Sequence, residues 1–219
     1  MGRVRILILG CIRTAVIALP LFVAAGRLDV PAFWEYLGVF FVFIAAAAFL
    51  LDPDMLKERM RPGGKRPSAG LFVVMVLYVV QLLAAGLDAG RFHWTPAIPV
   101  GVQLGGLGGF VLGMSLILWA MRTNRFFSSV VRLQTDRGHT LVTGGPYRWV
   151  RHPGYTAMLL LCVCNGVAMG SWAGEMISLL FLPLLFYRIL TEDAFLKKNL
   201  PGYEEYAARV RQRLVPGVW

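Results

Sequence analysis

Hydrophobic residues fall into long blocks along this chain, and most charged residues lie between the blocks. Each block is close to the about 17–25 residues with which an α-helix crosses a lipid bilayer. The pattern predicts six membrane spans, at about 6–25, 33–51, 71–87, 98–121, 155–170 and 172–190. The last two spans are short and almost contiguous, so we expect them to form a tight helical hairpin.

The predicted fold class is therefore all-α, a polytopic membrane bundle of about six helices. We divide the chain into N-terminal membrane spans, residues 1–121, and a C-terminal part, residues 122–219, with a long polar loop, the hairpin and a tail. Beyond the turn signal Pro201-Gly202, apolar side chains recur at roughly helical spacing, at Tyr203, Tyr206, Val210 and Leu214. This spacing predicts an amphipathic tail helix that lies on lipid headgroups or covers the polar loop as a lid.

Composition and charge support a membrane protein and set its orientation. The chain is 57% hydrophobic and 16% charged, whereas soluble domains are about 45–50% apolar and about a quarter charged. The net charge of +10 comes from basic residues that flank the apolar blocks, which fits membrane topology better than nucleic-acid binding. Basic residues crowd segments 52–70, 122–154 and 191–219. The positive-inside rule then places both termini and these segments in the cytoplasm, at a bacterial-type inner membrane.

Two common chemistries are not indicated by the sequence. The three cysteines, Cys11, Cys162 and Cys164, lack metal-binding spacing, so neither a metal site nor a disulfide framework is predicted. The glycines of the fourth span follow no strand and form no GxGxxG motif, which excludes a dinucleotide fingerprint. Four of these glycines recur at every fourth position and predict a face for close helix packing: Gly101, Gly105, Gly109 and Gly113.

Polar and aromatic residues are concentrated in segment 139–155 and again near the end of the sixth span. Ionisable side chains at membrane depth are costly, so they face a cavity or a partner and by default mark a functional site. His152 precedes Pro153 and is expected at the N-terminus of the fifth helix, where backbone N–H groups favour an anionic ligand. Arg188 and Glu192 are four residues apart and share a helix face. An interfacial anchor and an exposed ion pair are the simpler alternatives.

The order of these motifs resembles the isoprenylcysteine carboxyl methyltransferase family, which groups with the phospholipid methyltransferases. The resemblance covers about 40% of the chain, from Arg132 to the C-terminus. It rests on His139-Thr140-Leu141-Val142, Gly145-Pro146-Tyr147-Arg148, Arg151-His152-Pro153-Gly154-Tyr155, Arg188 with Glu192-Asp193, and Pro201-Gly202-Tyr203 with Tyr206. The first four spans match the family only in hydrophobic character.

The resemblance implies methyl transfer from S-adenosyl-L-methionine to a lipophilic acceptor in the membrane, without a Rossmann domain and with the active site on the cytoplasmic side. It implies catalytic roles for Arg188, on the acceptor side, and for Glu192. By spacing, a glutamine of the family falls on Arg132, with Gln134 nearby. The implied cofactor contacts are Gln134, His139, Thr140, Leu141, Val142, Tyr147, Arg151, His152, Pro153, Gly154, Tyr155 and Glu192.

Two other functions stay open from the sequence. An NADPH-dependent membrane reductase of the sterol-reductase type would use the same end of the bundle, with Arg132, Arg148 and Arg151 around the cofactor's 2′-phosphate. A non-catalytic membrane protein would use its charged loops only to set topology. Within the methyltransferase prediction, the acceptor is a prenylated thiol carboxylate, an aminophospholipid, a small thiol or a quinone-like lipid, and the oligomeric state is open.

Overall fold

The computed structural model describes the backbone of residues 3–60 and 69–219. Three of the basic residues behind the predicted orientation, Arg61, Lys65 and Arg66, lie outside the described residues. The described helices are α1 Arg3–Ala25, α2 Pro31–Leu50, α3 Pro53–Met60, α4 Ala69–Ala85, α5 Val100–Thr123, α6 Pro153–Ala168, α7 Trp172–Leu179, α8 Phe181–Asn199 and α9 Tyr203–Arg209. A π-helical segment, Gly86–Phe92, extends α4. Because the described residues contain no strand, the all-α prediction is confirmed.

The described helices include five stretches that are long and apolar enough to cross a membrane: Leu7–Ala25, Pro31–Leu50, Gly70–Phe92, Val100–Thr123 and Trp172–Asn199. The fifth predicted span corresponds to α6, an apolar helix of 16 residues that is shorter than a full crossing. Large apolar side chains remain exposed around the bundle, among them Phe72, Leu112 and Met176. Such a surface suits lipid and not water, so the prediction of an integral membrane protein is confirmed.

A stripe of glycines lets α5 pack closely against α6, but it is not quite the predicted stripe. A Cβ atom at Gly106, Gly109 or Gly113 would lie 2.6, 2.4 or 2.7 Å from a side chain of α6. A Cβ atom at Gly101 or Gly105 would meet nothing within 4 Å. Residues four apart drift by about 40° around a helix at each step, so the predicted face turns away from its neighbour. The packing prediction is correct for Gly109 and Gly113 and wrong for Gly101 and Gly105.

The predicted hairpin is formed by α6 and α7, and its turn is made possible by Gly170, which has a φ of +76°. The buried carboxylate of Asp88 accepts hydrogen bonds beside this turn, from Ser171 Oγ at 2.6 Å and from Thr95 N–H and Oγ1 at 2.8 and 2.7 Å. These bonds tie the π-helical segment to the hairpin. The predicted sixth span is two helices, α7 followed by α8.

The predicted tail helix is present as α9, but it ends at Arg209 and does not continue to Leu214. Residues 210–215, which we call the C-terminal strap, turn back towards the loop before α6. Two backbone hydrogen bonds of 3.0 Å hold the strap there, Arg151 N–H to the carbonyl of Gln212 and His152 N–H to the carbonyl of Arg213. Leu214 is only 1% exposed and packs with Tyr155, so the end of the chain forms part of the core.

Candidate active site

A cavity of about 440 Å³ runs from the loop 124–152 into the membrane helices. We call the side of the bundle that is formed by this loop, α9 and the strap the loop side. Near the loop side the cavity is lined by polar and aromatic residues of the loop, of the start of α6 and of the end of α8. Deeper in the bundle it is lined mainly by apolar residues of α4, α6 and α8. One cavity thus joins a polar chamber to an apolar arm.

Asp193 is the electrostatic centre of the loop side, and its side chain is only 3% exposed. Arg151 donates to both carboxylate oxygens, from Nε at 2.9 Å and from Nη2 at 3.0 Å. The Tyr203 hydroxyl donates at 2.9 Å, Arg213 Nε donates at 3.1 Å, and His152 Nε2 lies 3.2 Å away. A carboxylate buried to this degree needs several partners to offset its desolvation. Asp193 therefore joins the loop, α8, α9 and the strap.

Arg151 anchors the strap through its remaining nitrogen. Its Nη1 group donates to the carbonyl oxygens of Val210 and Arg211, each at 2.8 Å. These two bonds hold the start of the strap beside the loop that precedes α6. Burial is the largest single effect and lowers the pKa of Arg151, but the hydrogen bond to Asp193, the charge of Asp193 and the contribution of Tyr203 together outweigh burial and raise this pKa. Arg151 lines the chamber, yet all three of its nitrogens are already engaged within the protein.

The hydroxyl group of Tyr155 stands between Arg188 and Glu192. It accepts from Arg188 Nε at 2.7 Å and donates to Glu192 Oε2 at 2.6 Å. Arg188 also donates from Nη2 to the carbonyl of Ser129. Among the described residues, Arg188 Nη1 and Glu192 Oε1 have no hydrogen-bond partner, and both residues line the chamber. The three side chains form a linked guanidinium–hydroxyl–carboxylate chain with one donor and one acceptor left for a ligand.

His139 forms part of the chamber wall, and its ring stacks on Phe126 with the centroids 4.5 Å apart. Its Nδ1 accepts from the backbone N–H of Gln134 at 3.3 Å, which leaves Nε2 as the protonated donor of a neutral ring. Burial, followed by the positive charges of Arg132 and Arg137, lowers the pKa of His139. The imidazole is therefore neutral at pH 7.

Gln134 is the predicted cofactor residue that the structure does not bring to the chamber. Its side chain is buried, its Nε2 donates to a backbone carbonyl at 2.7 Å, and its Oε1 accepts from Arg137. Arg132, the position that matches the family's glutamine by spacing, does line the cavity. It pairs with Glu58 of α3 at 2.7 Å and with Asp136 at 2.9 Å. The folded loop thus presents Arg132 to the chamber and turns Gln134 away from it.

The other predicted cofactor residues converge on the chamber. Those that line it, besides His139, are Thr140, Leu141, Val142, Tyr147, Arg151, His152, Pro153, Gly154, Tyr155 and Glu192. Burial raises the pKa of Tyr147, whose hydroxyl accepts from Asn124 at 3.3 Å. Gly154 permits a close approach of the loop, because a Cβ atom there would lie 2.4 Å from the Phe127 ring.

Three residues that shape the chamber are not among the site residues predicted from the sequence, namely Asp193, Tyr203 and Tyr206. Tyr206 donates its hydroxyl to the backbone carbonyl of Tyr147 at 2.7 Å and so fixes that part of the loop. A sequence signal exists for each of them. Asp193 directly follows Glu192, so it lies about 100° further around the helix and faces different partners. Tyr203 and Tyr206 are three residues apart, so they share one helix face.

Several known proteins resemble part of this chain. Residues 102–201 match the family described as phospholipid methyltransferase. Protein-S-isoprenylcysteine O-methyltransferase of Schizosaccharomyces pombe is 32% identical over 111 residues, which make up 49% of this chain and 47% of that protein. Probable protein-S-isoprenylcysteine O-methyltransferase of Oryza sativa subsp. japonica is 31% identical over 99 residues, or 44% of this chain and 52% of that protein.

A further relative carries a name of a different kind. Cobalt-zinc-cadmium resistance protein CzcN of Cupriavidus metallidurans is 31% identical over 149 residues, which make up 66% of this chain and 62% of that protein. The chain spans about half the length of each of the isoprenylcysteine methyltransferases described above. The described residues contain no group of three or more histidine, cysteine, aspartate or glutamate side chains placed to hold a metal ion.

Proposed function

We propose that this chain is an integral membrane methyltransferase for a lipophilic acceptor. Its predicted resemblance to the isoprenylcysteine and phospholipid methyltransferases is confirmed by these matches. The inferred methyl donor is S-adenosyl-L-methionine. The observation that carries the proposal is that one cavity joins a polar chamber to an apolar arm between membrane helices. A water-soluble donor and a lipid-soluble acceptor can meet there. We place the chamber at the cytoplasmic face of a bacterial-type inner membrane, because the loop side is rich in basic residues.

The side chains of the chamber fit the polar groups of S-adenosylmethionine. Its ammonium and ribose hydroxyl groups are hydrogen-bond donors, and Glu192 offers an oxygen that has no partner among the described residues. His139 offers its Nε2–H as a donor. His152 is at the N-terminus of α6, whose positive dipole end favours the carboxylate of the ligand. Of the two upstream candidates, Arg132 lines the chamber and Gln134 does not, so the proposed cofactor site does not include Gln134.

The protein's part in the reaction is to position the partners and to exclude water. When bound, S-adenosylmethionine supplies a methyl group on a positively charged sulfur; the acceptor's bond to carbon forms as the carbon–sulfur bond breaks, and a neutral thioether leaves. An anionic acceptor becomes neutral in this exchange, so no residue has to remove a proton. Arg188 Nη1 orients such an acceptor by a charge-assisted hydrogen bond. Tyr155 keeps the guanidinium and the Glu192 carboxylate at fixed positions.

The acceptor class that the chamber favours is a carboxylate on a lipophilic body. Arg188 provides a cationic donor at the boundary between the chamber and the apolar arm, and a carboxylate matches a guanidinium group in geometry and charge. The names of the yeast and rice relatives describe O-methylation of an isoprenylcysteine, which is such a carboxylate. An aminophospholipid would instead need a proton acceptor in the chamber.

The reductase alternative is less well supported by the structure. It requires several guanidinium groups to surround a cofactor phosphate. Arg132 is instead engaged by two carboxylates, Arg151 is engaged by Asp193, and Arg148 is exposed. A large cluster of available positive charge is therefore not present at the chamber among the described residues.

Calorimetry of the purified protein in lipid nanodiscs tests the cofactor. S-adenosylhomocysteine should bind the wild type, and Glu192→Gln should lose detectable binding, while NADPH should not bind either protein. The matched control is Glu204→Gln, because Glu204 is an exposed carboxylate on α9 and should leave the affinity unchanged. Binding of NADPH, or equal affinity of the wild type and Glu192→Gln for S-adenosylhomocysteine, would overturn the assignment. Labelled S-adenosylmethionine with a total lipid extract, followed by mass spectrometry, then identifies the acceptor.

A further inference from the structure

A small group of polar side chains lies at the deep end of the apolar arm. Gln81 of α4 and Asn165 of α6 line the cavity there, together with Tyr78 and Ser178. Each amide is about 18 Å along the helix axis from the loop-side start of its helix. Gln81 is 0% and Asn165 8% exposed. Both are therefore buried in the bundle at a distance from the loop side that exceeds half of the about 30 Å thickness of a bilayer's hydrocarbon core.

One polar atom of each amide bonds to the other amide, and the second polar atom of each is left unpaired. Asn165 Nδ2 donates to Gln81 Oε1 at 3.2 Å. Within the described residues, Gln81 Nε2 and Asn165 Oδ1 are the buried side-chain atoms that have no hydrogen-bond partner. An unpaired buried donor or acceptor costs about 1–3 kcal/mol, and lipid cannot supply the missing partner. One donor and one acceptor, both on residues that line the cavity, thus call for a ligand group that can bond to both.

Helix packing alone does not explain this pair. The neighbouring hydroxyl groups of Tyr36 and Tyr78 bond to each other at 2.9 Å, so a polar pair in the same region can be satisfied without a ligand. Two leucines would fill similar space and leave no polar atom unpaired. A hydroxyl group is the simplest partner for what remains, because it accepts from an N–H group and donates to a carbonyl oxygen.

We propose that the lipophilic acceptor carries a hydroxyl group near the far end of its tail, and that Gln81 and Asn165 bind this hydroxyl. The inference rests on the proposed function, since it takes Arg188 as the place of the reacting head group. Tyr155, which bonds to Arg188, and Asn165 are both on α6 and about 15 Å apart along its axis. The acceptor therefore has a tail of about this length between its head and its hydroxyl. A plain hydrocarbon tail leaves both amide atoms unpaired and binds less tightly.

Two matched probes test the proposal without any need for catalysis. Dodecanoate and ω-hydroxydodecanoate share a carboxylate and a chain of suitable length and differ only in the terminal hydroxyl. Their affinities are measured by calorimetry in nanodiscs for the wild type and for the double variant Gln81→Leu, Asn165→Leu. The affinity for ω-hydroxydodecanoate divided by the affinity for dodecanoate should be at least about tenfold lower in the double variant than in the wild type, which corresponds to about 1.4 kcal/mol. Comparing ratios cancels the different partitioning of the probes into lipid.

Met158→Ala is the control, because Met158 lines the arm between the chamber and the amides. It should weaken both probes equally and leave their ratio unchanged. The leucine variant removes two unpaired polar atoms, so its melting temperature should not fall below that of the wild type. If Gln81 and Asn165 bind only water, or serve only to join helices, the ratio is the same in the wild type and the double variant, and the proposal is wrong.

The proposed function is judged by a separate measurement, the binding of S-adenosylhomocysteine. If this ligand does not bind while the ratio of the fatty acid affinities shifts, the methyltransferase assignment fails and the hydroxyl site stands. If this ligand binds and the ratio does not shift, the hydroxyl site fails and the methyltransferase assignment stands.

Discussion

Replacing Asp193 by asparagine tests whether two adjacent acids of α8 have different tasks. The change keeps the shape of the side chain but removes the negative charge beside Arg151, which is only 5% exposed. Breaking a buried pair by removing one charge costs about 3–5 kcal/mol. The second cation on Asp193, Arg213, has a side chain that is 27% exposed and recovers hydration. We therefore expect a loss near the lower limit, about 3 kcal/mol.

For a chain of this length, a loss of about 3 kcal/mol lowers the melting temperature by roughly 6–12 °C. Thermal unfolding in nanodiscs, followed by tryptophan fluorescence, measures the shift. Glu192→Gln is the matched control one residue away, because Glu192 donates nothing and accepts only from Tyr155 among the described residues. It should melt within a few degrees of the wild type while it loses S-adenosylhomocysteine binding. An unchanged melting temperature for Asp193→Asn, or an equal loss in both variants, would refute this division of tasks.

Three further predictions concern the linkage, the packing and the pH response. Tyr155→Phe breaks the guanidinium–hydroxyl–carboxylate chain, so methyl transfer should fall by roughly 10–100-fold, and an unchanged rate excludes this role. Gly106→Ala should lower the melting temperature, since its Cβ would lie 2.6 Å from α6, whereas Gly105→Ala should stabilise by up to about 1 kcal/mol. Because burial and two guanidinium groups lower the pKa of His139, the unfolded state takes up its proton first, and stability falls as the pH drops below about 6.5. His139→Gln should weaken that fall in unfolding titrations.

The membrane helices could be predicted closely from the sequence because a span is long and almost free of charge. The predicted second span, 33–51, and fourth span, 98–121, differ from α2 and α5 by two residues at most at each end. The extension of α4 through Gly86–Phe92 could not be predicted, because it depends on a neighbour. A Cβ atom at Gly86 would lie 2.4 Å from the carbonyl oxygen of Leu21, so α1 packs directly against the first residue of the π-helical segment and leaves room there only for glycine.

The motif pattern identified most residues of the chamber but not their partners. Arg151 and Gln134 both fit a cofactor role by residue type, yet their hydrogen bonds go to the strap and to the loop itself. The acceptors of Arg151 lie 59 and 60 residues further along the chain, and the acceptor of Gln134 is reached only through the folded path of the loop. Periodicity holds no information on either. Gln81 gave no signal at all, because a single polar residue in an apolar block is tolerated for many reasons. Its proposed role becomes apparent only from its hydrogen bond with Asn165, which lies 84 residues later in the chain.

Some residues of the cavity lie inside the segment that matches the family and others lie outside it, and this difference bears on acceptor specificity. The segment that matches the phospholipid methyltransferase family, 102–201, contains the whole linked chain of Tyr155, Arg188 and Glu192. Gln81, which binds the far end of the proposed acceptor, lies before that segment. Relatives that share the reacting residues therefore need not share the end of the arm. Asn165, the other half of the proposed hydroxyl site, lies inside the matched segment. The α4 side of the arm is therefore the place where a change can alter the tail that binds while the reacting residues stay the same.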